Sequence, residues 1–145
     1  MTKVKRQTTR VAAYGLVLQE EHILLCRPSS RLPKHAGYWT LPGGGLDFGE
    51  DPAAAMAREV REESGLEVTP ARVAGINSFY DDFEDHAFHS IRIVYYTELI
   101  SGTLSHELDG STDRCAWWSL EQAQQLPLVD LSGYGLGLAF GTGLG

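Results

Sequence analysis

The segment that most restricts the fold is one helix and the glycine turn that feeds it. Pro42 is followed by Gly43-Gly44-Gly45, and a few residues later Asp51-Pro52 opens an apolar stripe. Asp51 suits an N-cap, and Pro52 suits the first helical position, where its missing N–H is not needed. Ala53, Met56, Ala57 and Val60 recur at i, i+3, i+4 and i+7, one face of a helix. Gly65 supplies the left-handed residue that stops it, so the spacing predicts a helix over residues 52–64. At 100° per residue, Glu59, Glu62 and Glu63 fall within an arc of roughly 100° beside the apolar stripe. The carboxylates therefore sit at the rim of whatever the helix packs on. Three carboxylates so close raise one another's pKa values unless something neutralises them. A hard cation such as Mg2+ or Mn2+ does so with oxygen ligands and keeps waters that a phosphate can replace. The other reading is a solvated acidic face, paired with Arg58 and Arg61.

On either side of this helix the pattern is mostly that of strands. Residues 11–18 and 23–26 are apolar runs around a polar tetrad, which reads as a hairpin. Residues 28–37 read as a loop and 38–41 as a short strand stopped by Pro42. Residues 68–80 and 88–99 read as two long strands joined by the acidic tip 81–86. A short strand near Leu104, a strand at 116–118 and a short helix over 120–126 complete the series. The last 13 residues, 133–145, contain six glycines and are expected to fray. At 145 residues the chain fits one domain. The expected organisation is a basic, flexible tail over 1–10, one mixed α/β domain over 11–130, and a glycine-rich tail over 131–145.

Twelve basic and nineteen acidic residues give a formal charge of −7. That argues against duplex nucleic acid as a partner, but a small polyphosphate can bind through an intervening cation. No run approaches the ~18 apolar residues of a membrane span, and no small-residue cleavage site follows the basic N-terminus. Cys26 and Cys115 make no disulfide framework and lack metal-ligand spacing, so they read as two buried apolar residues in a reducing, cytoplasmic setting. The five histidines show no zinc spacing.

Residues 44–66 read GGLDFGEDPAAAMAREVREESGL, which satisfies G-x5-E-x7-R-E-U-x-E-E-x-G-U at every position, U being aliphatic. At residue frequencies of roughly 5–7%, a chance match in a chain this long is on the order of 10⁻⁸. The segment resembles the Nudix box, and looser agreement of the flanks extends the resemblance over most of residues 8–128. It implies an α/β/α sandwich with a central mixed β-sheet, the box forming a loop-helix-loop. The implied activity is that of a Nudix hydrolase, in which water attacks phosphorus in a nucleoside diphosphate linked to another moiety. The implied cofactor is Mg2+, with Mn2+ as a substitute.

By the same resemblance Glu62 and Glu63 are metal ligands, and Glu59 is a further ligand or the general base. The carbonyl of Gly43 joins the metal shell, while Arg58 and Glu50 orient the glutamates. Asp113, or else Glu107, is the later carboxylate that completes the site. Arg27 matches a position that contacts substrate phosphate, the alternative being a surface arginine. Tyr38, Phe48 and Tyr80 are the aromatics expected to meet substrate, drawn from a set that also holds Trp39, Phe79 and Phe83.

Secondary signatures that mark ADP-ribose, dinucleoside polyphosphate, NADH and coenzyme A enzymes are absent. The expected substrate is therefore a small-molecule nucleotide, first a (deoxy)nucleoside triphosphate. The alternatives are a sugar nucleotide or ADP-ribose, or a regulatory module that binds a nucleotide without hydrolysing it. The resemblance also allows a homodimer.

Overall fold

The computed structural model describes residues 5–28, 37–104 and 112–141, the side chains of Pro28 and of residues 112–114 excepted. The elements run in the order β1 (Arg6–Leu16), β2 (Leu18–Gln19), β3 (His22–Pro28), β4 (Gly43–Gly45), α1 (Pro52–Ser64), β5 (Glu67–Asp82), β6 (His86–Ser101), β7 (Thr112–Ser119), α2 (Leu120–Ala123) and α3 (Asp130–Phe140). They form two sheets. One has the order β4-β1-β6-β5, and the other the order β2-β3-β7. The first is mixed, because β1 runs parallel to β6 while β4 and β5 run antiparallel to their neighbours.

Alternation along the strands divides the core in two. Ile93 and Tyr95 of β6, with Leu24 and Cys26 of β3, pack with Met56 and Val60 of α1. Val94 and Tyr96, with Ile23 and Leu25, pack on the other side with Leu131 and Leu136 of α3. The sheets thus form a middle layer between α1 and the pair α2 and α3, the expected α/β/α sandwich.

Several local expectations need correction. The polar tetrad does hold a turn, at Glu20 and Glu21 with φ of 50° and 63°, but the hairpin it closes joins β2 to β3. β1 leaves for the other sheet just before it. Residues 6–10 of the expected tail form the first half of β1, in register with residues 86–90 of β6. Residues 131–140 of the expected C-terminal tail belong to α3, where Leu131, Ser132 and Leu136 are buried. Residues 102–104 are not in a strand. The glycine turn is itself an edge strand, β4.

The cysteines also differ from expectation. Cys26 exchanges both backbone hydrogen bonds with Thr40, at 2.8 and 2.7 Å. It therefore faces Cys115 of β7 in a non-hydrogen-bonded pair, where side chains approach most closely. The Cα atoms are 4.0 Å apart and the sulfurs are joined as a disulfide. The argument from unlinked cysteines to a reducing compartment therefore lapses. No helix among the described residues is long and apolar enough to cross a membrane.

Candidate active site

α1 begins and ends where its local chemistry dictates. The Asp51 carboxylate accepts from the Ala54 N–H at 3.1 Å, and Gly65 takes φ of 80° while its N–H bonds the Arg61 carbonyl. Met56 and Val60 are fully buried, and this fixes the rotation of the helix about its axis. That rotation brings Glu59 and Glu63 against β4 and leaves Glu62 nearer to solvent.

The contacts between β4 and the helix explain the glycines. The Gly43 N–H donates to Glu63 Oε1 at 2.8 Å, and the Glu63 side chain is buried. A Cβ on Gly44 would lie 2.9 Å from the Glu59 carboxyl carbon, and one on Gly43 would lie 2.3 Å from the Ala13 carbonyl oxygen. Only a backbone bare of side chains can come so close to both carboxylates.

Arg58 ties the remaining acids together. Its Nε and Nη2 donate to the two oxygens of Glu50 at 2.8 and 2.9 Å, a bidentate pair. Its Nη1 reaches Glu59 at 3.1 Å and Glu62 at 3.2 Å, and its Nη2 reaches the Gly45 carbonyl at 3.4 Å. The hydrogen bonds from Arg58, then that from the Asp47 N–H, hold the Glu50 carboxyl at about 2. Arg58 itself is held above the usual guanidinium range, chiefly by the hydrogen bond to Glu50. Glu50 is thus a fixed anion that aims the guanidinium at Glu59 and Glu62.

The donor set fits a hard divalent cation. One guanidinium pairs with Glu50, Glu59 and Glu62, and Glu63 is held apart from it by the Gly43 N–H, so the carboxylates outnumber the cation and offer only oxygen ligands. Among the described residues no three of them converge as a preformed cage. Two of the three box carboxylates, Glu59 and Glu62, instead share Arg58. Glu59, Glu62, Glu63 and the Gly43 carbonyl are the groups that would hold the ion.

Glu50, Arg58, Glu59, Glu62, Glu63 and Gly43 are therefore brought together. The other expected site residues are dispersed. Arg27 lies at the end of β3 with its guanidinium carbon 5.7 Å from the Trp39 ring centre. Tyr38 precedes Trp39 and is half exposed, and Phe48, in the loop before α1, is fully exposed. Tyr80 sits on β5, its ring edge-on to His89. It borders a groove of about 230 Å³ lined also by Gln7, Thr8, Thr9 and Ala87, with no contact to the α1 carboxylates. The backbone of Asp113 lies in β7, but its side chain, like all of Glu107, falls outside the described residues.

Three neighbours of the site escaped the sequence reading. The Tyr14 ring lies against Gly43, and the Arg10 guanidinium lies against Gly45. Cys115 Sγ lies 3.4 Å from the Glu63 carbonyl oxygen. Each depends on strand register, for which the sequence carries no local signal.

Known proteins resemble this chain over most of its length. The NUDIX domain profile matches residues 8–134. An ADP-ribose pyrophosphatase of Methanocaldococcus jannaschii is 34% identical over 65% of this chain and 53% of its own length. The nucleoside triphosphatase NudI of Klebsiella pneumoniae is 30% identical over 85% of this chain and 89% of its own. The chain spans about half the length of the ADP-ribose pyrophosphatase relatives that it matches. The crystal structure of a MutT NUDIX hydrolase from Burkholderia pseudomallei superposes with a TM-score of 0.77 at 27% identity, covering 90% of this chain and 98% of that one.

Proposed function

Since the chain belongs to the Nudix family of hydrolases acting on pyrophosphate bonds, we propose that it hydrolyses a nucleoside triphosphate to the monophosphate and pyrophosphate with Mg2+, Mn2+ being able to substitute. The observation that carries this reading is the carboxylate cluster, in which Glu59 and Glu63 line a side-chain-free strand and Glu59 and Glu62 share Arg58. A bound divalent ion supplies charge neutralisation for the phosphate oxygens, the main requirement of phosphoryl substitution. Glu62 and Glu63 hold that ion with the Gly43 carbonyl, and Glu59 either joins them or takes the proton of the attacking water. Arg58 and Glu50 hold the glutamates in place. Arg27, at the end of β3 beside Trp39, is assigned the contact with substrate phosphate by the family resemblance of its position.

The triphosphate is favoured because the match to the NudI nucleoside triphosphatase runs nearly the full length of both chains, 85% and 89%. The match to the ADP-ribose pyrophosphatase supports a second reading, hydrolysis of ADP-ribose. Turnover of the common ribo- and deoxyribonucleoside triphosphates and of ADP-ribose with Mg2+, products resolved by chromatography, separates the two. Monophosphate and pyrophosphate from a triphosphate is the expected result. AMP and ribose 5-phosphate from ADP-ribose, with the triphosphates untouched, would establish the second reading instead.

A further inference from the structure

The Cys26–Cys115 disulfide lies directly behind the carboxylate cluster, buried in the core layer that it shares with Met56 and Val60 of α1. Each cysteine is tied to a different half of the site. Cys115 Sγ lies 3.4 Å from the Glu63 carbonyl oxygen, in the last turn of α1. Cys26 exchanges both backbone hydrogen bonds with Thr40. From Thr40 the chain runs through buried Leu41 to Pro42, whose carbonyl accepts from the Gly15 N–H at 2.9 Å, and then to Gly43. The Gly43 N–H in turn donates to Glu63 Oε1. Contacts therefore run in a closed circuit, from one sulfur through Glu63, Gly43 and Thr40 back to the other.

Reduction changes that circuit at the sulfurs. Two equivalents of thiol, or one dithiol, cleave the S–S bond, leave a proton on each cysteine sulfur and depart as a disulfide. The two thiols need about 1.5 Å more separation than a covalent bond allows. A close-packed core has no slack to supply it, and the Glu63 carbonyl already touches one sulfur. The sulfurs therefore separate by spreading β3 from β7 or by pushing the end of α1. Cys115 also gains an S–H, a donor that a disulfide sulfur lacks, and its acceptor at hand is the Glu63 carbonyl. Both changes act on the residue that faces Gly43.

We propose that Cys26 and Cys115 are a redox-responsive positioning pair: as a disulfide they keep Glu63 in register with Gly43 for the divalent ion, and as two thiols they displace it and weaken metal binding. The inference rests on the reading of Glu63 as a metal ligand. Neither sulfur touches the ion or the substrate, and both act through Glu63. Disturbing a group that orients a ligand costs about 10- to 100-fold in metal affinity, which sets the size of the effect. Because both sulfurs are buried, exchange with a cellular dithiol requires the β3–β7 pair to open. The redox state is therefore set over minutes to hours and not within a turnover.

The test is the Kd for Mn2+ alone, read from the electron paramagnetic resonance of the free ion. It is measured on protein equilibrated with oxidised glutathione and on protein equilibrated with dithiothreitol, the reagent being removed without air before metal is added. Maleimide labelling of the denatured protein should count no thiols in the first and two in the second. The oxidised form should bind Mn2+ at least ~10-fold more tightly. Cys26→Ala, which cannot form the pair, should bind equally after either treatment, and Cys115→Ser repeats that control. Two thiols in the oxidised sample overturn the proposal, as does an equal response by the variants. A disulfide that is only a staple lowers the melting temperature on reduction and leaves Kd unchanged, and that result also overturns it. So does a reduced form that has lost its fold at the assay temperature. Equal binding by both redox forms brings down this inference alone, whereas no binding by either brings down the metal reading with it.

Discussion

Glu63 does two things that a substitution can separate. It accepts the Gly43 N–H from a buried position, and in our account it carries charge to the metal. Glutamine keeps an acceptor oxygen for Gly43 and loses the charge, so Glu63→Gln should lower turnover by at least ~100-fold with little change in melting temperature. Near-wild-type turnover would mean the site is misassigned. Gly44→Ala probes the same contact from the strand. The added methyl meets the mobile end of Glu59 rather than backbone, so turnover should fall while the thermal melt stays close to wild type. Glu50 has a pH signature. Its carboxyl is held at about 2, against 4.5 for an unrestrained one. Its bond to Arg58 therefore stabilises the fold fully above about pH 4.5, and that contribution is lost as the pH falls through about 2. In urea melts the gap between wild type and Glu50→Gln should narrow below pH 4.5. A gap constant down to about pH 2 would contradict the pairing.

At the scale of elements, what was legible in the sequence is what local chemistry alone decides. α1 has its cap, proline, apolar period and stop within 15 residues (51–65), and the helix forms over the residues that spacing indicates. α3 defeats the same logic. Gly133, Gly135 and Gly137 lie inside it, and each disfavours a helix by about 1 kcal/mol. Tertiary contact overrides that propensity. A Cβ on Gly135 would lie 2.8 Å from Leu41 Cδ1, and one on Gly75 would collide with the Tyr134 hydroxyl. The glycines let the helix sit close to its neighbours, and Leu131 and Leu136 supply the buried surface. β4 was missed for a related reason, since a three-glycine strand has no side-chain pattern to read. Truncation after Ser132 removes buried Leu136 and the Tyr134 contact. It should cost at least ~2 kcal/mol in a denaturant melt. An unchanged midpoint would show that α3 does not support the core.

Across the whole molecule, sheet order turns sequence-distant residues into one site. The carboxylates come from one helix, their glycine platform from the strand before it, and Tyr14 and Arg10 from β1. The box motif marks the carboxylates directly because they fall within 23 contiguous residues, 44–66, while Gly43 of the platform lies just before them. The third group and the cysteine pair became visible only with the pairing of β1, β4, β3 and β7. A protein with a formal charge of −7 also needs a cation to draw a polyphosphate to its acidic helix. The most direct test of the account is therefore nucleotide turnover with Mg2+, with excess EDTA, and with Mg2+ restored, for the wild type and Glu63→Gln side by side. The account predicts monophosphate and pyrophosphate from the wild type, no product in EDTA, recovery with Mg2+, and loss of at least ~100-fold in the variant. Full turnover in EDTA, or equal turnover by the two proteins, would contradict it.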